Sequence, residues 1–83
     1  MLLHKYQKEL DLINWNIDFQ LSDYLETKIC FDSYKKVACL IINKKDISMA
    51  EFWIVHELLH IKYPSKSEDD INSLASQYLK FNH

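Results

Sequence analysis

The chain has 83 residues, a formal net charge of −2 at pH 7 and 48% hydrophobic residues, enough for one domain with a small core that a bound metal would help to stabilise. Ten basic against twelve acidic residues leave no electrostatic footprint for nucleic acid or an anionic membrane. No stretch approaches the ~20 apolar residues of a membrane-spanning helix, the opening Met1-Leu2-Leu3-His4-Lys5-Tyr6 breaks off too soon for a signal peptide, and the lack of any glycine excludes a glycine-rich phosphate loop.

In chain order, Leu3, Tyr6, Leu10 and Ile13 recur at helical spacing with charged residues between them, which predicts an amphipathic helix over 2–14. His4 falls among those charges and reads as solvated. Trp15, Ile17, Phe19 and Leu21 then alternate with Asn16, Asp18 and Gln20, the pattern of a half-buried strand. A second short strand is expected over 28–32. A third, over 37–43, is apolar on both faces and so should be sandwiched or capped by another element. The link Ser33-Tyr34-Lys35-Lys36 suggests a hairpin, and a two-residue turn at Tyr34-Lys35 would set Cys30 opposite Cys39. Two cysteines do not make a disulfide framework. They read as buried free thiols of a cytoplasmic protein, neither a redox pair nor zinc ligands.

Ser48-Met49-Ala50-Glu51 has the form of a capping box, and the run Phe52-Trp53-Ile54-Val55 leads from it into His56-Glu57-Leu58-Leu59-His60. Leu58, Leu59 and Ile61 carry the apolar surface onward, so this helix should be buried nearly all round. Pro64 stops it. Ser65 or Ser67 then caps a last helix near 67–80, with Ile71, Leu74, Ala75, Tyr78 and Leu79 as its apolar face. The expected fold is a single α+β domain over 1–83, a small three-stranded sheet against three helices in the order α-β-β-β-α-α.

The chemistry lies in His56-Glu57-Leu58-Leu59-His60, which reads H-E-x-x-H. Residues four apart share a helical face, so both imidazoles can reach one metal ion. Glu57 sits about 100° round the helix, where it can address a metal-activated water. In a chain with 4 His among 83 residues, chance supplies roughly 0.01 such matches. The alternative is a pair of core histidines with a hydrogen-bonded glutamate and no metal. A catalytic zinc site needs a third protein ligand and an open fourth position. Glu68, Asp69 and Asp70 are the acidic candidates downstream of His60. Glu68 shares a face with Asn72, Ala75 and Leu79, which points it inward. Asp69 and Asp70 suit the solvated first turn of a helix, where the dipole favours negative charge.

Trp15-Asn16-Ile17, the strand ending Ile41-Ile42-Asn43, Val55-His56-Glu57-Leu58-Leu59-His60 and Glu68-Asp69-Asp70-Ile71-Asn72-Ser73-Leu74-Ala75 together resemble a minimal gluzincin. More narrowly, they resemble the small ImmA/IrrE-type metallopeptidases of phages and mobile elements. The resemblance covers residues 15–79, and only its metal motif is specific. It implies a zincin-like fold with zinc on His56, His60 and Glu68, since the family's E-x-x-x-N-x-x-A helix matches Glu68, Asn72 and Ala75. It also implies an extended peptide substrate bound along the edge of strand 38–43. Two departures are the seven residues between His60 and Glu68, a shorter connection than is usual, and no counterpart of the larger family members' C-terminal domain.

The expected activity is zinc-dependent peptide hydrolysis with Glu57 as general base. Asn72 is expected to orient one of the histidines from behind. Tyr63, Tyr34 and His83 are candidates for stabilising the oxyanion, each equally compatible with packing or surface. Trp15 and Trp53 read as core. The alternative function is a zinc-binding module of the same fold that acts by association with little or no turnover.

Overall fold

The computed structural model describes residues 2–82 and has the expected order of elements. These are α1 Leu2–Glu9, β1 Asn16–Ser22, β2 Lys28–Asp32, β3 Val37–Asn43, α2 Ala50–Lys62 and α3 Glu68–Asn82, with a 3₁₀ turn Lys44–Met49 before α2. The protein is an α+β domain.

The first helix is shorter than its apolar spacing implies. It stops at Glu9, and Ile13 is exposed. Asp11 adopts a left-handed conformation at φ 61°, its amide bonds back to Lys8 and that of Leu12 to Gln7. This is a Schellman stop, built on aspartate in a chain without glycine. Buried Gln7 secures it by donating to the carbonyls of Leu12 and Trp15, and the Lys62 ammonium of α2 donates to the Leu10 carbonyl. These bonds compete with a further helical turn, so Leu12 enters the core in place of Ile13.

The sheet order is β1-β3-β2. β3 pairs with β1 in parallel and with β2 antiparallel, so it is the central strand. Residues 38–43 therefore offer no free edge for a peptide, contrary to expectation. The edge on the α2 side is β2, since the link Asp23–Thr27 carries the chain past the end of β3 before it returns. Asn43 holds that crossing: its amide donates to Thr27 Oγ1, its side-chain nitrogen to the Leu25 carbonyl, and its side-chain oxygen accepts from the Lys45 amide.

Cys30 does lie opposite Cys39, although the turn differs from the expected one. Four residues, Ser33–Lys36, link β2 to β3, with the Lys36 amide bonded to the Asp32 carbonyl and Lys36 at φ 57°. The Asp32 carboxylate accepts from the amides of Tyr34 and Lys35, supplying the turn that glycine would otherwise make. The cysteines are not the buried pair expected: Cys30 is exposed and Cys39 half-buried. Ala38, Leu40 and Ile42 of β3 face the helices, whereas Val37, Cys39 and Ile41 stand on the opposite face, outside the core cluster. β3 is thus buried by its central place in the sheet plus helices on one side.

The core joins Leu40 and Ile42 to Tyr6 of α1, Val55 and Leu58 of α2 and Ile71 of α3, all with essentially no exposure. Each such side chain contributes about 1.5–3 kcal/mol of burial free energy. Tyr6 and Tyr78 meet edge to face with centroids 6.0 Å apart. The Tyr6 hydroxyl donates to Glu51 of α2 and that of Tyr78 to Glu9 of α1, so the pair ties all three helices together.

The capping box is not used. Met49 is the residue before α2 and makes no side-chain cap, because the 3₁₀ turn runs straight into the helix and the Ala50 amide bonds to the Ile47 carbonyl. Asn43 caps the preceding turn instead, and Glu51 turns to Tyr6. No helix among the described residues is long and apolar enough to cross a membrane.

Candidate metal centre

Every residue of α2 from Ile54 to Leu59 is buried, His56 and Glu57 included. A charged or polar side chain in such a place must find internal partners. His56 sits among aromatic rings, with Trp53 edge-on at 5.1 Å, Phe52 tilted at 5.7 Å and the His60 ring at 4.9 Å between centroids. Trp53, read as plain core from the sequence, is therefore also a wall of the site.

The third residue arrives from α3. Tyr63 ends α2 with its amide bonded to Leu59, and Pro64 opens the short reverse turn. Ser67 caps α3: its hydroxyl accepts from the Asp70 amide and its carbonyl from the Ile71 amide. Glu68 is then the first helical residue, and its carboxylate reaches back over α2. One oxygen lies 2.7 Å from His56 Nε2 and the other 3.1 Å from His60 Nε2. All three acidic side chains are exposed, Glu68 included, so Glu68 lies at the rim and not inward as expected; of the three, only its carboxylate reaches the histidines.

Glu57 engages the other side of the same imidazole. Its Oε1 lies 2.7 Å from His56 Nδ1. In the neutral ring a proton on Nδ1, donated to Glu57, would turn the Nε2 lone pair toward His60 and Glu68. His56 Nε2 is the sole buried side-chain polar atom among the described residues that makes no hydrogen bond; its neighbour is the Glu68 oxygen at 2.7 Å, an ion pair when the ring is charged. An orphaned nitrogen facing a second imidazole and a carboxylate has the donor set of zinc, two N and one O. Neighbouring ligands of a tetrahedral zinc lie about 3.3 Å apart, a few tenths of an ångström beyond the separations here. Ligand atoms of His56, Glu57 and His60 also fall within 4.8 Å of one another. Of the two carboxylates, Glu57 is occupied with Nδ1 and Glu68 is the one that faces both Nε2 atoms.

Burial opposes a charge on His56, but the flanking carboxylates of Glu57 and Glu68 outweigh it and hold the imidazole above its ordinary pKa of 6.5. A divalent cation at Nε2 would take the place of that proton.

The site opens into a cleft of about 390 Å³ between α2 and the edge strand, lined by Trp53, His56, Glu57, His60, Pro64 and Glu68 on one side and Thr27, Lys28, Ile29 and Phe31 on the other. The β2 wall was missed from the sequence. Its residues carry no motif, and only the strand order sets them against the site. Asn72, expected to orient His56 or His60, is exposed, and Glu57 occupies Nδ1 of His56 in its place. Tyr34 is at the hairpin tip and 96% exposed, and Tyr63 stacks under the Lys66 ammonium; neither lines the cleft. His83 lies outside the described residues. His4 is exposed, as expected; Trp15, read as core, is only half-buried, packed against the core cluster and Phe31.

Comparison with protein-family models, with curated proteins and with solved structures finds no match to this chain.

Proposed function

We propose that the protein is a zinc-dependent metallopeptidase of gluzincin type, with zinc held by His56, His60 and Glu68. The observation that carries this reading is the Glu68 carboxylate spanning both imidazoles from a separate helix, at the mouth of a cleft large enough for a peptide segment. Zinc held there would supply Lewis-acid polarisation of a scissile carbonyl and a water of pKa about 7. Glu57, on the cleft wall, takes the water's proton and returns it to the leaving amine. The substrate is an extended peptide laid along the free edge of β2, whose backbone groups pair with it as an added strand. The reading places the enzyme in the reducing cytoplasm, where Cys30 and Cys39 are thiols.

One observation favours a second reading, a zinc-binding module that acts by association. Glu57 Oε1 is engaged with His56 Nδ1, a role that orients a ligand and needs no turnover. Hydrolysis of an unstructured protein by wild type but not by Glu57→Gln supports the peptidase. Stoichiometric zinc with no hydrolysis by either supports the binding module.

A further inference from the structure

The outer face of the sheet carries chemistry that the metal centre does not use. Cys30 and Cys39 are direct cross-strand partners in the antiparallel pair β2–β3. Opposed residues in such a pair have Cα atoms about 4.5 or 5.5 Å apart, depending on whether they exchange backbone bonds. Both spacings fall inside the range a disulfide spans. Both thiols are free, Cys30 is exposed and Cys39 half-buried, so a small oxidant reaches one of them from solvent without any unfolding. The pair also sits at a chosen place. Cys30 lies between Ile29 and Phe31, which line the metal cleft from the other face of the same strand. β2 is an edge strand whose partner in the sheet is β3.

We propose that Cys30 and Cys39 are a reversible redox site, oxidised by small-molecule disulfides to a cross-strand bridge that pins the cleft wall to the central strand. The exposed Cys30 thiolate attacks one sulfur of the small disulfide, breaks its S–S bond and releases one small thiol. The Cys39 thiolate then attacks the Cys30 sulfur, forms the bridge and expels the second small thiol. Two protein thiols are oxidised and one small disulfide is reduced to two thiols, which carry away both protons. Burial pushes the Cys39 thiol up, and Asp18 and the neighbouring Cys30 add to the effect. Cys39 therefore reacts second, as the resolving thiol. This site is independent of whether the cleft binds zinc.

The test is to incubate the folded protein with excess oxidised glutathione and follow intact mass and a non-reducing tryptic map. The expected product is a monomer lighter by two hydrogens, with peptides 29–35 and 37–44 joined, restored by reductant. Its melting temperature should rise by on the order of 10 °C, because the bridge restricts the unfolded chain. Cys39→Ser should instead keep a persistent glutathione adduct on Cys30. Stable glutathione adducts on both cysteines of the wild type, disulfide-linked dimers, or two thiols still unmodified after hours would each overturn the proposal. These readings need only the wild-type protein, whatever the variant's stability.

Discussion

Glu68, the first residue of α3, lies 2.7 Å from His56 Nε2 in the middle of α2, although eleven residues stand between them in the chain. The contact depends on where α3 begins. Ser67 caps the helix, so the next side chain projects back over α2 and the two after it project away. A shift of one residue would turn Glu68 about 100° round the helix and dismantle the cluster.

Glu68→Ala should therefore abolish most zinc affinity, while Asp69→Ala and Asp70→Ala leave it within a factor of about two. Asn72→Ala should also be neutral, because Asn72 is exposed and Glu57 already holds Nδ1 of His56. Zinc titration against a competing chelator checks all four variants. Retained affinity in Glu68→Ala with loss in either aspartate variant would show that the metal sits elsewhere.

Glu57→Gln separates two roles of one carboxylate. An amide oxygen can still accept from His56 Nδ1, so zinc stoichiometry should persist. It cannot take a proton, so hydrolysis should fall by about 10²–10⁴-fold. Protease assays on matched zinc-loaded samples measure this, and equal cleavage by the variant would remove Glu57 from the base role.

The order of elements, the buried motif helix and the apolar face of α3 were all legible, because each rests on local periodicity. So was the opposition of Cys30 and Cys39, which follows from the symmetry of the hairpin about residues 34 and 35. Strand order was not legible. β1 pairs in parallel with β3 across the intervening β2, a long-range choice that no local pattern records, and with it went the location of the cleft wall. Caps misled for a related reason. Ser48 and Glu51 have the right spacing for a capping box, but the 3₁₀ turn before α2 already satisfies the first amides and Tyr6 recruits Glu51. At the candidate metal centre the meeting of His56, His60 and Glu68 was legible from spacing. The partnership of Glu57 with His56 Nδ1 was not, since neighbouring residues on a helix do not ordinarily face each other.

Asp11 and Lys36 hold left-handed conformations that cost a residue with a Cβ roughly 1–2 kcal/mol. Asp11→Gly should stabilise the domain by up to about 1 kcal/mol, the relief of strain being partly offset by the freer unfolded chain. Thermal or urea denaturation measures the gain. Asp11→Val, which no side-chain bond rescues, should destabilise by more than Asp11→Gly stabilises.

Stability should also fall in alkali. Burial, helped by Glu51 and Glu9, pushes the Tyr6 phenol from 10.0 up to about 12, and burial with Glu9 raises Tyr78 in the same direction. A group raised on folding lends stability that is complete below its unfolded pKa and disappears as pH climbs to the folded one. The loss contributed by Tyr6 should run from pH 10 to 12 and be absent in Tyr6→Phe. Denaturation midpoints across that range check it, and an equal loss in the variant would assign the effect elsewhere.

The central claim is that His56, His60 and Glu68 hold one zinc. The most direct measurement is the metal content of protein exchanged into chelator-treated buffer with one equivalent of zinc, together with its melting temperature before and after chelation. The account predicts one zinc per chain and a fall of several degrees when it is stripped, since metal bound only by the folded state adds its binding free energy to folding. Protein that retains no zinc and melts at the same temperature with and without chelator would contradict it, leaving His56 and Glu57 as a hydrogen-bonded pair in an ordinary core.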